Sequence, residues 1–241
     1  MAGTQPLKRG TSPKAERTRA RILEAALELF AQRGYEETTM RAVAESAGVS
    51  TGNAYYYFES KEHLVHGFYA QSHVAHLEAC EPLLGETDAF RERLHAVLRT
   101  KLDTTEPYHR FSGQLFKTAA DPASPLSPFS DDSSPVRQEC IALMERVIDG
   151  SKLKVPADLR AELPYLLWMH LMGIVLFWIH DRSPGRRRSY RMAQRTAEIV
   201  ARLVALASNP LMKPVRGSAL RLLEELRHDA ATPEDEDSLR P

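Results

Sequence analysis

The sequence predicts an all-α protein with an N-terminal three-helix helix-turn-helix head and a larger C-terminal helical domain. Apolar residues recur at helical spacing along most of the 241-residue chain, and neither strand-like alternation nor an internal repeat interrupts them. Residues 38–61 have the pattern of two short helices joined by a tight turn. Residues 163–179 are apolar on every side of a helix, which is typical of a helix that is buried on all sides.

The segment 38–61 is the most informative part of the chain. The apolar residues of its first helix follow the i, i+3, i+4, i+7 spacing of one helical face: Met40, Val43, Ala44 and Ala47. Thr38 or Thr39 can cap this helix, because a short hydroxyl accepts a hydrogen bond from a free N–H of the first turn. Gly48 can end it in the left-handed conformation, and Ser50 can cap the next helix. A turn of this length predicts a helix-turn-helix, whose second helix lies in the DNA major groove.

The second helix, Thr51–Phe58, has an unusual outward face. The helical wheel places Ala54 and Phe58 inward, and the outward residues are Gly52, Asn53, Tyr55 and Tyr56. A solvated face usually carries Lys and Glu instead. Contact with DNA accounts for this composition, because asparagine can pair with a base edge and tyrosine hydroxyls can reach phosphates. Packing of the tyrosines in the core of the head is the alternative, and it fits Tyr57 best.

Several short motifs follow one another in order across Arg21–Leu64. They are Ile22-Leu23-Glu24-Ala25-Ala26, Leu29-Phe30, Gly34-Tyr35, Thr38-Thr39-Met40-Arg41, Ala44, Ala47-Gly48-Val49-Ser50, Gly52-Asn53-Ala54-Tyr55-Tyr56-Tyr57-Phe58 and Ser60-Lys61. Over about a fifth of the chain they resemble the DNA-binding domain of the tetracycline-repressor (TetR) family of bacterial transcription regulators. The resemblance implies a homodimeric, ligand-responsive regulator that a small molecule releases from a palindromic operator. A transcriptional activator and an effector-independent DNA-binding protein are the alternatives.

The head and the resemblance together predict a set of DNA contacts. Its members are Thr39, Arg41, Ser50, Thr51, Gly52, Asn53, Tyr55, Tyr56 and Lys61. Arg41 is the candidate for a guanine, and Thr51 and Asn53 are the candidates for base edges. The resemblance implies a phosphate contact for Lys61. The expected partner is double-stranded operator DNA with half-sites about one helical turn, ~34–36 Å, apart.

Charge is distributed unevenly along the chain. Lys plus Arg and Asp plus Glu both number 32, so the formal net charge is zero. Residues 1–21 hold six basic residues and one acidic residue, which gives +5, and residues 224–241 hold seven acidic and two basic residues, which gives −5. The basic end adjoins the head, where it is either an unstructured terminus or an arm that contacts DNA. The predicted organisation is a disordered arm at 1–13, a DNA-binding domain at 14–60, an effector-binding and dimerisation domain at 61–228 and a disordered acidic tail at 229–241.

The remainder of the chain is predicted to be helical with one break. Helices are expected at 14–33, 61–81, 88–104, 108–120, 136–149, 157–181, 190–207 and 212–227, and Pro82 is expected to end the helix at 61–81. The break, Asp121–Pro135, contains four prolines in fifteen residues, which excludes a regular helix. It is either a lid of the effector entrance, with Leu126 and Phe129 folded inward, or a disordered linker.

The apolar run at 163–179 predicts a subunit interface. A helix that is apolar all round needs a second partner beyond its own domain, and another copy of the chain is the simplest one. The resemblance implies that two late helices form a four-helix dimer interface, which assigns Leu171, Ile174, Val175, Trp178, Ile199 and Leu203 to it. Pro164, His170 and Gly173 interrupt the run, which falls short of the ~20 clean residues of a membrane helix, so no membrane span is predicted.

The resemblance also implies an effector pocket in the C-terminal domain. The candidate lining residues are Phe68, Tyr108, Phe111, Phe116, Trp168, His170 and Phe177. Their composition favours an apolar or aromatic effector. Plain core packing is the alternative for each of them, because core helices carry the same residue types.

Other chemistry-bearing residues form no recognisable catalytic signature, and neither an enzyme activity nor a cofactor is predicted. Cys80 and Cys140, without a secretion signal, indicate the reduced cytoplasm, and two buried thiols are expected rather than a disulfide. His66, His73, His76 and Cys80 follow one another at i, i+7, i+10 and i+14 along one helix. This spacing suits either part of a metal site or the polar edge of a packed face, and no metal is predicted.

Overall fold

The computed structural model describes residues 12–229, and these residues contain helices and turns but no β-strand. The helices are α1 (Pro13–Arg33), α2 (Met40–Ser46), α3 (Thr51–Tyr57), α4 (Lys61–Glu86), α5 (Phe90–Thr105), α6 (His109–Ala119), α7 (Ser134–Asp149), α8 (Ala157–His180), α9 (Arg187–Ala207) and α10 (Lys213–Asp229). The all-α prediction is confirmed. The predicted basic arm up to residue 11 and the predicted acidic tail from residue 230 lie outside the described residues.

The chain forms two compact units. Of the described residues, the N-terminal unit contains 12–78 together with Asp103–Glu139, and the C-terminal unit contains Ala79–Leu102 and 140–229. The unit that carries the head is therefore larger than the predicted DNA-binding domain at 14–60, because it also includes α6 and the segment that follows α6.

The core of the N-terminal unit explains this size. The buried residues of the head include Ile22, Ala26, Leu29 and Phe30 of α1, as the sequence predicts, together with Val43, Ala44, Ala54 and Phe58. The same apolar cluster continues through Phe68 of α4 and through Phe111 and Leu115 of α6. The rings of Phe30 and Phe111 stack with their centroids 5.6 Å apart. The helix-turn-helix is thus supported by α6 as well as by α1.

Residues 121–133 form an ordered series of turns and not a disordered linker, and α7 begins at Ser134, inside the break that the sequence predicts. Leu126 is buried in the core of the N-terminal unit, and its carbonyl accepts a hydrogen bond from the hydroxyl of Tyr69 at 3.1 Å. Arg137 donates to the carbonyl oxygens of Pro128 and Ser130. Leu126 therefore lies inward, as the lid alternative expects, whereas Phe129 is exposed, which that alternative does not expect.

Two helix ends differ from the prediction for tertiary reasons. The helix α4 continues through Pro82 to Glu86, although proline removes one backbone donor. Leu84 is buried in this last turn, and its carbonyl accepts a hydrogen bond from Arg93, which stabilises the helix beyond the proline. The helix α9 begins at Arg187, three residues earlier than expected, because Asp181 binds the N–H of Ser189 inside its first turn.

The helix α8 belongs to the core of the C-terminal unit. It is the one helix within residues 12–229 whose length and composition would allow it to cross a membrane. The core helix of a soluble protein can have the same length and composition. Leu167, Leu171, Ile174 and Trp178 are buried on one face of α8, and the helix packs against α9 and α10. This apolar face of α8 is therefore covered by other helices of the C-terminal unit.

Candidate nucleic-acid interface

The helix-turn-helix is held by local caps. The hydroxyl of Thr39 accepts a hydrogen bond from the N–H of Ala42, and the hydroxyl of Ser50 accepts one from the N–H of Asn53, both at 3.2 Å. Thr38 is buried and donates to the carbonyl of Gly34 instead, so Thr39 is the cap of α2. Gly48 has a φ of 63°, the left-handed conformation expected for it. These caps fix where α3 begins.

The helix α3 presents a polar and aromatic face to solvent. Ala54 and the adjoining Phe58 are buried, and the exposed residues of α3 are Thr51, Gly52, Asn53, Tyr55 and Tyr56. Tyr56 is 73% exposed and Tyr55 is 49% exposed. The half-buried ring of Tyr57 meets Tyr56 edge to face at 5.2 Å. The predicted base-reading and backbone-contacting residues of α3 therefore share one solvent-facing surface, and Arg41 of α2 is exposed as well.

Lys61, at the start of α4, has an internal role that the sequence did not reveal. Its ammonium donates to the carbonyl oxygens of Tyr35 at 2.9 Å and Glu36 at 3.3 Å, and it lies 4.5 Å from the centroid of the Tyr35 ring. The ammonium therefore stabilises the turn between α1 and α2. A phosphate contact by Lys61 has to share or replace these hydrogen bonds.

Tyr35 and Glu62 form a second link across the same junction. The Tyr35 hydroxyl donates to the Glu62 carboxylate at 2.6 Å. Burial, and then the carboxylate of Glu62, raise the pKa of Tyr35, which keeps the phenol protonated. Burial opposes the charged form of Glu62, but hydrogen bonds from Ser60 and Tyr35 outweigh it and lower the pKa of Glu62. The motifs Gly34-Tyr35 and Ser60-Lys61 marked these positions without revealing that they are joined.

The histidine face of α4 is largely buried. His73 and His76 are fully buried, and His66 is half-buried. The imidazole of His73 lies 3.4 Å from the carboxylate of Glu139. Burial lowers the pKa of His66, although the nearby charge of Asp132 acts in the opposite direction. Across residues 12–229, no group of three or more His, Cys, Asp or Glu side chains is placed to hold a metal ion.

Both cysteines are buried free thiols, as the sequence predicts. Cys80 lies at the end of the histidine face but in the C-terminal unit. Burial raises the pKa of the Cys80 thiol to about 11, so the thiolate is not formed at neutral pH.

The candidate pocket residues fall into both units. Phe68 meets Tyr108 and Phe111 with ring centroids 5.0 and 5.1 Å apart, and both phenylalanines belong to the buried core of the N-terminal unit. Phe116 is half-buried in the same unit. These contacts favour the packing interpretation for Phe68 and Phe111.

In the C-terminal unit, Trp168 is buried, and the imidazole of His170 forms a 2.8 Å hydrogen bond with the hydroxyl of Thr196. Burial lowers the pKa of His170. Phe177 is half-buried beneath the guanidinium of Arg188, which lies 5.8 Å from the ring centroid. Trp168 and His170 thus already have partners inside the unit.

Burial divides the predicted dimer residues into two groups. Leu171, Ile174 and Trp178 are buried within the C-terminal unit of their own chain, which leaves little side chain for a partner. Val175 is half-buried, whereas Ile199 and Leu203 are more than half exposed. Three further apolar residues on the same two helices are exposed: Met169, Leu176 and Leu206. The i, i+4, i+7 spacing of Ile199, Leu203 and Leu206 could have identified that face of α9.

Two family models match the chain. Residues 22–67 match the family of bacterial regulatory proteins described as the tetR family. Residues 93–219, more than half of the chain, match the tetracyclin repressor-like C-terminal domain. The matches cover the head with the start of α4, and the helices from α5 into α10.

Curated relatives match over the head. The transcriptional regulator TtgR of Pseudomonas putida is 41% identical over 68 residues, which are 28% of this chain and 32% of TtgR. The transcriptional repressor KstR of Mycolicibacterium smegmatis is 50% identical over 56 residues, 23% of this chain and 27% of KstR. The chain thus spans about a third of the length of the curated relatives it matches.

Solved structures match over most of the chain. A TetR transcriptional regulator from Nitrosomonas europaea has a TM-score of 0.60 at 18% identity, covering 76% of this chain and 97% of that one. The fatty acid degradation regulator FadR from Bacillus halodurans has a TM-score of 0.59 at 16% identity, covering 78% and 96%. At these identities the likeness shows the shared fold. The chain belongs to the TetR family of bacterial regulatory proteins, whose members are DNA-binding transcription regulators and not enzymes.

Proposed function

We propose that the protein is a homodimeric repressor that binds a palindromic operator and is released from it by a small-molecule effector. The exposed face of α3 is the observation that carries the DNA-binding part of this proposal. Two neighbouring tyrosines stand out from a short helix whose opposite side is anchored by Ala54 and Phe58. Exposed aromatic side chains of this size are uncommon on a solvated helix, and a nucleic-acid partner explains them. We place the protein in the cytoplasm, where that DNA lies.

Direct readout is assigned to three residues of the head. Asn53 and Thr51 lie in the first turn of α3, the part of a recognition helix that reaches the base edges. Arg41 on α2 is exposed and can form a bidentate contact with guanine. Thr39, Ser50, Gly52, Tyr55, Tyr56 and Lys61 are assigned mainly to the sugar-phosphate backbone. The hydroxyls of Thr39 and Ser50 already accept hydrogen bonds as caps, and each keeps its O–H as a donor for a phosphate.

Dimerisation is proposed through the outer surfaces of α8 and α9. Met169 and Leu176 lie one above the other on α8, and Ile199, Leu203 and Leu206 form a stripe on α9. A monomer rarely leaves such contiguous apolar stripes in water. A second copy can cover them, and a two-fold pair of heads suits half-sites that are ~34–36 Å apart.

The effector is proposed to be apolar or aromatic. Phe177 is the half-buried aromatic candidate of the C-terminal unit, and a pocket wall needs side chains that are partly accessible. Effector binding is proposed to move α4 and to change the separation of the two heads. A coupling free energy of ~1–3 kcal/mol is enough for such regulation.

A gel shift tests the DNA-binding proposal directly. The wild-type protein and Tyr56→Ala are titrated onto DNA from the region upstream of the protein's own gene. We expect a specific shift with the wild type and a loss of at least about tenfold in affinity with Tyr56→Ala, because the phenol lies at the centre of the exposed face of α3.

Val74→Ala is the matched control for this experiment. Val74 is also an exposed apolar residue of the N-terminal unit, but it lies on α4 and not on α3. We expect it to bind DNA like the wild type. If Tyr56→Ala binds the shifted fragment as tightly as Val74→Ala does, α3 is not the recognition helix.

A further inference from the structure

Three helices of the N-terminal unit meet at a single aromatic ring, that of Phe58. Phe58 ends α3, where its N–H donates to the carbonyl of Ala54 at 3.0 Å and its side chain is 2% exposed. Gly67 of α4 faces the ring, so closely that a Cβ atom added there would lie 2.9 Å from Cε1 and 3.7 Å from Cζ of Phe58. On α1, the guanidinium of Arg19 lies 4.8 Å from the ring centroid. The ring is therefore enclosed by α4 on one side and by a cation on another.

The glycine at position 67 has a steric reason. Glycine is disfavoured inside a helix, because it loses more backbone entropy than alanine on folding. Gly85, near the other end of α4, has open space where a Cβ would stand, so alanine would fit there. At Gly67 alanine would fit only if the Phe58 ring moved, since a separation below 3.0 Å is not tolerated between carbon atoms.

A displacement of Phe58 would move the whole of α3. The helix has only seven residues, and its buried anchors are Ala54 within it and Phe58 at its end. The exposed residues Asn53, Tyr55 and Tyr56 alternate with these anchors along the same two turns. A shift of the ring therefore changes the direction in which the exposed face points, and contacts with base edges depend strongly on direction.

We propose that Gly67 is a positioning residue for DNA binding. The absence of a side chain at Gly67 sets how deeply Phe58 seats against α4, and this depth sets the orientation of α3. Arg19 holds the ring in that position from α1. The inference rests on the proposed DNA-binding function of α3 and adds the contact through which α4 determines the geometry of the recognition surface.

The test compares two alanine substitutions in the same helix. Gly67→Ala and Gly85→Ala make the same chemical change in α4, but only the first meets the Phe58 ring. Affinities are measured by fluorescence anisotropy, for the DNA fragment that the gel shift identifies and for a scrambled fragment, below the melting temperature of every variant. We expect Gly67→Ala to bind the specific fragment at least about tenfold more weakly, with little change for the scrambled fragment, because base readout is lost while phosphate attraction remains. Gly85→Ala should bind like the wild type.

A rescue experiment separates positioning from general damage to the fold. Leucine lacks the Cε and Cζ atoms that alanine at position 67 would meet. In a Phe58→Leu background, Gly67→Ala should therefore cost less than about twofold in specific affinity. A loss as large as in the wild-type background would overturn the proposal, and so would equal specific affinities of Gly67→Ala and Gly85→Ala. The rescue experiment compares the double variant with Phe58→Leu alone. Its result therefore remains interpretable even if Gly67→Ala by itself folds poorly.

The same titration with Tyr56→Ala distinguishes failure of this inference from failure of the proposed function. If Tyr56→Ala loses specific binding while Gly67→Ala keeps it, α3 is the recognition helix and Gly67 does not position it. If Tyr56→Ala keeps specific binding, the recognition surface lies elsewhere and the inference fails together with that assignment.

Discussion

Arg93 shows how a single buried charge can hold several helix ends. Its guanidinium donates to the carbonyl oxygens of Leu84 and Thr87 at the end of α4, and to those of Arg146 and Val147 near the end of α7. Carbonyl groups in the last turn of a helix have no partner within the helix, and together they carry partial negative charge. Burial lowers the pKa of Arg93, but an arginine stays protonated because its ordinary pKa is so high. Gly150 is needed beside it, because a Cβ there would overlap the guanidinium.

We predict that Arg93→Met lowers the free energy of unfolding by about 2–4 kcal/mol. The substitution keeps the apolar stem but leaves buried carbonyl groups unsatisfied, and each hydrogen bond to a charged group contributes ~1.5–3 kcal/mol. Urea unfolding followed by circular dichroism measures the change. Arg91→Met is the control on the same helix, because Arg91 is exposed and its ion pair with Glu92 should contribute less than ~1 kcal/mol. Equal stability of the two variants would contradict the role assigned to Arg93.

At the scale of elements, the connection between α8 and α9 depends on one carboxylate. Asp181 accepts hydrogen bonds from the N–H of Ser183 at 2.9 Å, and from the N–H and hydroxyl of Ser189 at 2.9 and 2.7 Å. Between them, Gly185 and Arg186 both adopt positive φ angles of 58° and 49°. The second is unusual for a residue with a side chain, so the turn needs external stabilisation. The hydrogen bonds of Asp181 provide it, and they let α9 begin at Arg187.

The titration of Asp181 gives a pH-dependent prediction. Burial favours the neutral acid, but the hydrogen bonds from Ser183 and Ser189 outweigh it and hold the pKa of Asp181 far below its usual value. A depressed pKa contributes stability above the unfolded-state pKa of ~3.9, and this contribution is lost as pH falls further toward the folded-state pKa. We therefore expect Asp181→Asn to lower the free energy of unfolding by about 1–3 kcal/mol at pH 7, and the difference from wild type to shrink below about pH 4.

Urea unfolding at pH 7, 5, 4 and 3.5 checks this prediction. Asp88→Asn serves as the comparison, because Asp88 is an exposed carboxylate whose ion pair with Lys152 is also exposed. It should change stability by less than ~1 kcal/mol at every pH. A constant difference between wild type and Asp181→Asn across this range would mean that the charge of Asp181 is not what stabilises the turn.

At the scale of the whole molecule, the proposed dimer requires an apolar face that the chain does not cover by itself. The buried residues of α8 face its own unit, and the exposed stripe of α9 has no cover among residues 12–229. Ile199 and Leu203 are 54% and 57% exposed, and Arg195 and Arg202 flank them with charges that pair with Glu198. An apolar stripe with a charged border is the composition of a protein interface.

We predict that Leu203→Glu converts a dimer into monomers. A carboxylate at the centre of a two-fold interface would be buried beside its own copy, which costs several kcal/mol and exceeds the gain from the remaining contacts. Sedimentation equilibrium measures the change, and specific DNA affinity should fall with it because the two heads are no longer linked. Val74→Glu, which introduces the same charge at an exposed position of α4, should leave the mass unchanged. A Leu203→Glu protein that sediments like the wild type would exclude this face as the interface.

Local interactions determined the parts of the molecule that the sequence predicted well. The caps at Thr39 and Ser50, the left-handed Gly48 and the inward pair Ala54 and Phe58 each depend on residues within about one helical turn. Short-range hydrogen bonds and the 3.6-residue period are fully encoded in such a segment, so the exposed face of α3 could be predicted before any packing was known.

Only the tertiary structure decided the features that depend on partners far apart in the sequence. The helix α4 continues beyond Pro82 because Arg93 donates a hydrogen bond to a carbonyl of its last turn. The ammonium of Lys61 donates to the carbonyl of Tyr35 because the α1–α2 turn lies against it. Hydrophobicity likewise indicated that α8 must be covered on every side, but not which neighbour covers which face, so Leu171 and Trp178 were assigned to a partner although their own unit buries them. Side-chain pattern determines that a surface must be covered, whereas the arrangement of the whole chain determines what covers it.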